Sequence, residues 1–409
     1  MVEFGNFIIY IMMVGVLIGA AASVYDSEKG LGKEFVTGIH TIGPVFLAQA
    51  GIMASIPILS NVIETLLGPS FEAMSSDAAI AALAIIAVDM GGYQLADAMA
   101  STREAWITAA VAGYFSGAVI VYLIPVGLTM LPKKDHKYLA LGAMAGLASV
   151  PLGVIISMVL TVYTNTPIRD IISTNSEASY MLVMDFGTIL GYVSPLIVFC
   201  LVLALGLKFF TKQMIKGFLV FGVILDIWIK GVLAIVIVEY FTGVFSSVFG
   251  GWVFLSLFAD EKELFRAIEI AGYIGIMLAG TFPMVYLFYK YASKPMEKLG
   301  TKIGLTEYGS VGFVMVLANI IATYHMFPKM NARDKVITIA FGVCAQALIG
   351  DHLSFTANFQ PTMILPILLG KLLAGLFAVW LAIKISVPTA EKLEQEDIEL
   401  EKKEANNIK

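Results

Sequence analysis

The sequence predicts an all-α polytopic membrane protein, on the evidence of its composition and of its recurring apolar runs. Of the 409 residues, 58% are hydrophobic and 14% are charged, whereas soluble domains carry about 45–50% apolar and about 25% charged residues. Apolar runs close to the roughly 20 residues that cross a bilayer recur along almost the whole chain. We therefore expect residues 1–387 to form one transmembrane transporter domain.

The apolar runs divide into about eleven hydrophobic segments. Two of them are irregular: the segment at 78–95 is interrupted by Asp89-Met90-Gly91-Gly92, and the one at 335–353 ends in Gly350-Asp351-His352. Such interruptions indicate discontinuous or re-entrant helices. The predicted segments are 6–24, 41–67, 78–95, 105–131, 138–163, 181–210, 214–241, 267–290, 307–327, 335–353 and 362–386.

Basic residues cluster between the segments, and cytoplasmic loops carry such clusters. If successive segments cross the membrane in alternate directions, the first three clusters lie on one side and the fourth does not. The fourth cluster lies on the same side if 307–327 is re-entrant and does not span. Residues 388–409 change abruptly to Glu/Lys-rich sequence and are predicted to be a charged cytoplasmic tail, helical or disordered. The clusters lie at 133–137, 208–216, 290–302 and 329–335.

Two stretches of the chain resemble each other. The run that ends at Gln49 is similar to the run that ends at Asn319, and in each half an acidic residue and an aromatic residue follow, four positions apart: Asp89 with Tyr93, and Asp351 with Phe355. Many transporters consist of inverted repeats with the substrate site where discontinuous helices meet. We predict repeats at about 1–131 and 267–387, linked by 138–241.

The two acidic residues are the leading candidates for substrate binding. A carboxylate inside a membrane segment is costly, so Asp89 and Asp351 line the substrate path or, alternatively, cap a helix break. Gly91 and Gly92 allow a close backbone approach beside Asp89. The rings of Tyr93 and Phe355 can face an ammonium group.

Amide and charged side chains extend this candidate site. Gln49 and Asn319 are expected to hydrogen-bond either a substrate hydroxyl or a neighbouring helix. Glu269 is either part of an interfacial pair with Arg266 or a residue of the path, and His352 is either a path residue or a hydrogen-bonded structural histidine.

Other polar residues of the apolar segments have structural interpretations. Trp106 is expected to anchor the chain at the membrane surface or, alternatively, to offer a ring face to an ammonium group. Asp226 and Lys230 stand i, i+4 and should form an ion pair. Lys371 is expected to extend to the interface or to pair with a carboxylate.

Several function classes lack their motifs. The chain has no HExxH, P-loop, GxSxG or dinucleotide fingerprint, and its histidines lack metal-ligand spacing. We therefore predict no enzyme, no ATP-driven pump, no cofactor and no metal site. No basic stripe indicates nucleic-acid binding.

Four motifs together resemble one family: Asp89-Met90-Gly91-Gly92-Tyr93, Tyr138-Leu139-Ala140-Leu141-Gly142, Arg266-Ala267-Ile268-Glu269 and Gly350-Asp351-His352-Leu353. In this order they are similar to the ethanolamine permease of the bacterial ethanolamine-utilisation system, the EutH family. The resemblance implies a bacterial cytoplasmic-membrane protein that admits ethanolamine. The Lys-like amine of ethanolamine, with a pKa of about 10, makes it a cation, which suits the carboxylates above.

Alternatives stay open at this point. They are a carrier of another small solute such as an organic anion, a membrane-embedded enzyme, and a channel. Coupling to H⁺ or Na⁺ and assembly into a homo-oligomer are also left open.

Overall fold

The computed structural model describes residues 1–407, which fold almost entirely into α-helices. Within this range β-pairing is limited to one isolated bridge between Ile168 and Tyr180. Asp77, Thr102 and Asn331 each cap a helix, because their side chains accept a hydrogen bond from a backbone N–H in its first turn. The α-helices are α1 (Val2–Tyr25), α2 (Gly30–His40), α3 (Ile42–Ala54), α4 (Ile56–Glu72), α5 (Ala78–Ile85), α6 (Tyr93–Met99), α7 (Arg103–Ala112), α8 (Ile124–Met130), α9 (His136–Tyr163), α10 (Phe186–Phe209), α11 (Thr211–Thr242), α12 (Val244–Phe249), α13 (Ala267–Lys302), α14 (Glu307–Met315), α15 (Ile320–Met326), α16 (Ala332–Ala345), α17 (Asp351–Phe359), α18 (Ile364–Ile385) and α19 (Val387–Asn407).

The all-α membrane fold is confirmed, but the count of about eleven segments is not. In the described part of the chain, 8 helical stretches are long and apolar enough to cross a membrane. The other predicted segments, 78–95, 307–327 and 335–353, each consist of two short helices with a break between them. Lipid cannot satisfy the backbone groups that a break leaves free, so such a segment must be covered by protein or line a cavity.

Helices α14 and α15 form a re-entrant hairpin, hairpin 2, whose two ends lie at the same end of the molecule. Thr306, just before α14, donates hydrogen bonds to Asp334 in the first turn of α16 from its backbone N–H (3.0 Å) and its hydroxyl. The adjacent Lys335 pairs with Asp135 at 2.7 Å. This is the geometry that the basic clusters predicted for 307–327.

We call this end of the molecule the basic end. It carries the clusters at 133–137 and 329–335, and α13 brings the cluster at 290–302 to it. The cluster at 208–216 joins them, since α10 starts at the opposite end and packs along the length of α9. The tail is helical to Asn407 and is attached here by an ion pair between Lys137 and Asp397; residues 408 and 409 of the predicted tail lie outside the described residues.

Helices α5 and α6 form a second hairpin, hairpin 1, which enters from the other end. Asp77, before α5, accepts hydrogen bonds from the N–H (3.0 Å) and the hydroxyl (2.6 Å) of Ser101, after α6. Arg103 then donates to the carbonyl of Asp170 at 3.1 Å, in the long loop at 164–185. We call this end the loop end.

The two hairpins therefore enter the bundle from opposite ends. Hairpin 1 is followed by the helix pair α7–α8, which runs from the loop end to the basic end. Hairpin 2 is followed by α16 and α17, which together run the opposite way, with a break at 346–350. Opposite entry is what inverted repeats produce; the repeat boundaries given above stay a prediction.

Candidate functional site

All of the interrupted helices meet at one cavity of about 350 Å³, the central cavity. The tips of both hairpins and the break between α16 and α17 contribute to its wall. The helix from Arg103 to Met130 adds Tyr122, from a π-helical stretch, and Ala118, between two such stretches, and π-helical turns are frequent at functional sites. The polar residues of the wall are Thr41, Asp89, Tyr122, Asn319, Gln346, Asp351 and His352.

The tip of hairpin 1 has a conformation that requires glycine. Met90 and Gly91 leave the helical region, and Gly91 has φ +87°, which residues with a side chain adopt at a cost of about 1–2 kcal/mol. A Cβ atom on Gly91 would lie 2.9 Å from the side chain of Met53, and one on Gly92 would lie 2.5 Å from the carbonyl oxygen of Ala87. Both glycines therefore shape the backbone beside Asp89.

The two predicted carboxylates lie in the wall of this cavity without a cationic partner. Asp89 comes from hairpin 1 and Asp351 from the start of α17. Neither carboxylate takes part in an ion pair within residues 1–407. Since charges in a membrane interior are almost always paired or directed at water or a ligand, the arrangement is complementary to a small cation.

Amide side chains of the wall differ in how much of their hydrogen-bonding capacity is free. The side chain of Asn319 caps α15, accepting from the N–H of Ile321 at 2.8 Å. Gln346 is only 3% exposed, and its Nε2 has no hydrogen-bond partner among the described residues. The next residue, Ala347, has φ +53° and is held there because its N–H donates to the carbonyl of Val316 at 3.2 Å.

Sequence reasoning missed three polar residues of the wall, Thr41, Tyr122 and Gln346, and the amide with an unpartnered nitrogen is that of Gln346. Gln346 lies in the middle of the predicted segment 335–353, without a glycine or proline beside it. A glutamine within an apolar run was the one available signal.

Tyr93, Phe355 and Gln49 lie outside the wall of the central cavity. The ring of Tyr93 packs against Phe355, with 5.4 Å between centroids, and its hydroxyl accepts from Nε2 of Gln360 at 2.9 Å. Gln49 is buried and donates to the carbonyl of Ala267 at 3.3 Å, while its Oε1 has no partner among the described residues. The roles predicted for these residues stay predictions.

Glu269 and His352 occupy different surroundings. Glu269 accepts from the N–H of Arg266 at 3.0 Å, a capping interaction at the start of α13, and it does not line the central cavity. His352 lies in the cavity wall, and its Nδ1 is 3.0 Å from the amine of Lys371.

Two structural expectations were wrong and one is confirmed. Trp106 is fully buried and donates to the carbonyl of Tyr93 at 3.0 Å, so it is no surface anchor. Lys371 is also fully buried; it forms no ion pair with a described residue and instead donates to the carbonyl of Tyr114 at 2.9 Å. Asp226 and Lys230 do form the predicted ion pair, at 2.7 Å.

The chain is similar to known proteins over most of its length. A profile of the family described as ethanolamine utilisation protein EutH matches residues 4–385. The protein named probable ethanolamine permease EutH from Listeria monocytogenes is 34% identical over 373 residues, which is 91% of each chain. The protein of the same name from Escherichia coli is 32% identical over 411 residues, covering 95% of this chain and 98% of the relative. No solved structure matches the chain.

Proposed function

The chain belongs to the EutH family of ethanolamine utilisation proteins, and from this premise we propose that it imports ethanolamine into the bacterial cell through the central cavity. It is a multi-pass protein of the bacterial inner membrane. The basic end faces the cytoplasm in this proposal, because cytoplasmic loops carry the excess of Lys and Arg. The loop end then faces outward and receives the substrate.

The observation that carries the proposal is the pair of unpartnered carboxylates in the cavity wall. Ethanolamine carries one ammonium group, and a charge-assisted hydrogen bond from it to Asp89 or Asp351 is roughly twice as strong as a neutral one. An organic anion would instead meet two carboxylates and the aliphatic side chains of α13. The charge of the wall therefore favours a cation.

The hydroxyl of ethanolamine needs a second partner, and Gln346 supplies one. Its amide can turn over so that Nε2, which has no partner among the described residues, donates to the hydroxyl oxygen. A site built to hydrogen-bond a hydroxyl discriminates strongly against analogues that lack it. Carboxylate and amide together thus select an amino alcohol over an alkylamine.

The hairpins provide the route for alternating access. Hairpin 1 separates the central cavity from the loop end, and hairpin 2 approaches it from the basic end. In transporters with opposed repeats, one half moves against the other around a fixed site. Movement of hairpin 1 would admit ethanolamine, and movement of hairpin 2 would release it to the cytoplasm.

The energy source in this proposal is the substrate gradient or an ion gradient, not ATP. Two carboxylates offer two negative charges to one substrate cation. A proton on one carboxylate, a Na⁺ ion beside them or the buried amine of Lys371, which lies 3.0 Å from His352 of the wall, balances the second charge. At zero membrane potential, uniport of the cation leaves uptake independent of imposed H⁺ and Na⁺ gradients, whereas coupling makes uptake follow the proton or sodium gradient.

Uptake of labelled ethanolamine into proteoliposomes that contain the purified protein tests the proposal. We expect saturable uptake that excess unlabelled ethanolamine abolishes and that a short-chain carboxylate leaves unchanged. Imposed H⁺ and Na⁺ gradients, each collapsed by an ionophore in the control, distinguish coupled transport from uniport.

The alternatives predict other results in the same experiment. Inhibition by carboxylates without inhibition by ethanolamine would indicate an anion carrier. Uptake that does not saturate would indicate a channel, and a chemically altered label without net translocation would indicate an enzyme. Any of these results from folded protein would contradict the proposed function.

A further inference from the structure

A second cavity, of about 440 Å³, lies at the loop end, and we call it the outer cavity. Helix α6 of hairpin 1 forms one wall, Met53 of α3 and Ile56 of α4 form another, and the loops at 164–185 and 250–266 form the rest. The polar residues used below are Gln94, Asp97, Glu263 and Arg266.

Two buried polar groups in this wall have no partner. Gln94 is 6% exposed, and neither its Oε1 nor its Nε2 has a hydrogen-bond partner among the described residues. Arg266 is 7% exposed, and its Nε is likewise without a partner in this part of the chain. Because buried polar groups are nearly always hydrogen-bonded, three unpartnered atoms on two residues that line one cavity indicate a polar ligand, which these side chains reach by turning towards the cavity.

The carboxylates of the outer cavity have cationic partners, unlike those of the central cavity, and the exposed Lys262 adds a further positive charge to its wall. Asp97 forms an ion pair with Arg103, and Glu263 forms one with Arg266 at 2.6 Å. The carboxylates of the outer cavity are therefore already engaged. A cation should bind here more weakly than beside Asp89 and Asp351.

Hairpin 1 lies between the two cavities and contributes to the wall of each. Asp89 at its tip lies in the wall of the central cavity, and Gln94 on its second helix lies in the wall of the outer one. On the facing helix α3, Ala48 lines the central cavity and Met53 the outer one, with buried Gln49 between them. A ligand that leaves the outer cavity inward therefore has to pass hairpin 1 to reach the carboxylates.

We infer that the outer cavity is a second, weaker binding site for small amino alcohols, in which substrate waits before hairpin 1 admits it to the central cavity. The inference rests on the proposed function. A hydroxyl both donates and accepts, so it matches the free amide of Gln94 and the free Nε–H of Arg266. The ammonium group lies towards Asp97. Because Asp97 is already paired with Arg103, it attracts a second cation less strongly.

Equilibrium binding of labelled ethanolamine to the purified full-length protein in detergent tests the inference. We expect two sites per chain that differ in affinity by at least about tenfold, or about 1.4 kcal/mol. Gln94→Leu should remove the weaker site and leave the tighter one. The double variant Asp89→Asn/Asp351→Asn should do the reverse.

Uptake provides a second readout. Gln94→Leu should raise the KM for external ethanolamine by about tenfold without changing the affinity of the tighter site. Gln213→Leu, on the exposed surface of α11, is the matched control and should behave as wild type. If Gln94→Leu fails to fold, Gln94→Asn retains the polarity with a shorter reach and should weaken only the weaker site.

Three results would overturn the inference. A single site in wild type with saturable uptake would remove the outer site and leave the proposed function standing. Equal weakening of both sites by Gln94→Leu and Gln94→Asn would show a structural role. Absence of both binding and uptake in folded wild-type protein would remove the proposed function, and this inference with it.

Discussion

The acidic side chains at the basic end and those in the wall of the central cavity have opposite surroundings. At the basic end, Asp334 accepts hydrogen bonds from both the N–H and the hydroxyl of Thr306, and Asp135 pairs with Lys335 at 2.7 Å. In the central cavity, Asp89 and Asp351 form no ion pair within the described residues.

The difference separates structure from function. A buried carboxylate whose oxygens are all satisfied holds helices together, because removing its partner leaves an uncompensated charge. A carboxylate that faces a cavity without a partner destabilises the protein until a cation arrives. Substitutions in the two regions should therefore change different measured quantities.

The largest effect is expected where the carboxylates of the central cavity are neutralised. Asp89→Asn and Asp351→Asn should each lower uptake by about thirtyfold or more, because losing one partner of a desolvated charge pair costs about 2–5 kcal/mol. The double variant should show no more uptake than empty liposomes. Initial uptake rates in proteoliposomes of matched protein content provide the measurement.

The matched control is Asp226→Asn, which removes an acidic group from a spanning helix outside the cavity. It should keep near-normal uptake. The comparison between the two regions fails if Asp226→Asn is as inactive as Asp89→Asn, or if Asp89→Asn transports normally.

The next effect concerns stability at the basic end. Asp135→Asn should lower the free energy of unfolding by about 3–5 kcal/mol, since it leaves the buried amine of Lys335 without its counter-ion. The KM for ethanolamine should not change. Thermal unfolding in detergent and uptake by the same preparation measure the two quantities.

Glu396→Gln is the control for this prediction, because its pair with Lys392 is exposed and a surface pair contributes about 0–1 kcal/mol. A raised KM in Asp135→Asn with unchanged stability would contradict the separation of the two regions.

The fold and half of the site could be predicted from sequence for identifiable reasons. Apolar runs reveal spanning helices because lipid imposes both length and composition. Asp89 is conspicuous because a carboxylate and two glycines interrupt such a run. The re-entrant hairpin 2 could be predicted because the position of the basic cluster at 329–335 conflicts with simple alternation.

The remaining site residues depend on contacts that sequence does not display. Spacing of i, i+4 places two side chains on one face only in a continuous helix, and the non-helical Met90 and Gly91 lie between Asp89 and Tyr93. Gln346 was missed because the helix break beside it depends on a contact with another part of the chain. Ala347 takes a left-handed conformation through its bond to Val316, a residue remote in sequence.

A smaller effect is expected from the backbone of hairpin 1. Gly91→Ala should cost about 1–2 kcal/mol of stability for the left-handed conformation and displace Met53, which a new Cβ would meet at 2.9 Å. Because Asp89 lies two residues away, the KM should rise as well. Unfolding and uptake measured together would show both changes.

Gly217→Ala is the control, because a Cβ at this helical position in α11 meets no atom within 4 Å. It should be neutral or slightly stabilising. Normal stability and KM in Gly91→Ala would show that the tip of hairpin 1 adopts another conformation.

The smallest effect is expected at Tyr93, and it sharpens the boundary of the central cavity. Tyr93→Phe removes a hydroxyl that accepts from Gln360, yet Nε2 of Gln360 still donates to the carbonyl of Arg169 at 2.7 Å. The loss should be about 1 kcal/mol of stability. The KM should stay unchanged, since Tyr93 is 1% exposed and lies behind the cavity wall.

A several-fold rise in KM at normal stability would mean that the hydroxyl reaches the substrate when hairpin 1 moves. Tyr93 would then belong to the binding site in the conformation that forms when hairpin 1 moves, although it lies outside the cavity wall in this structure.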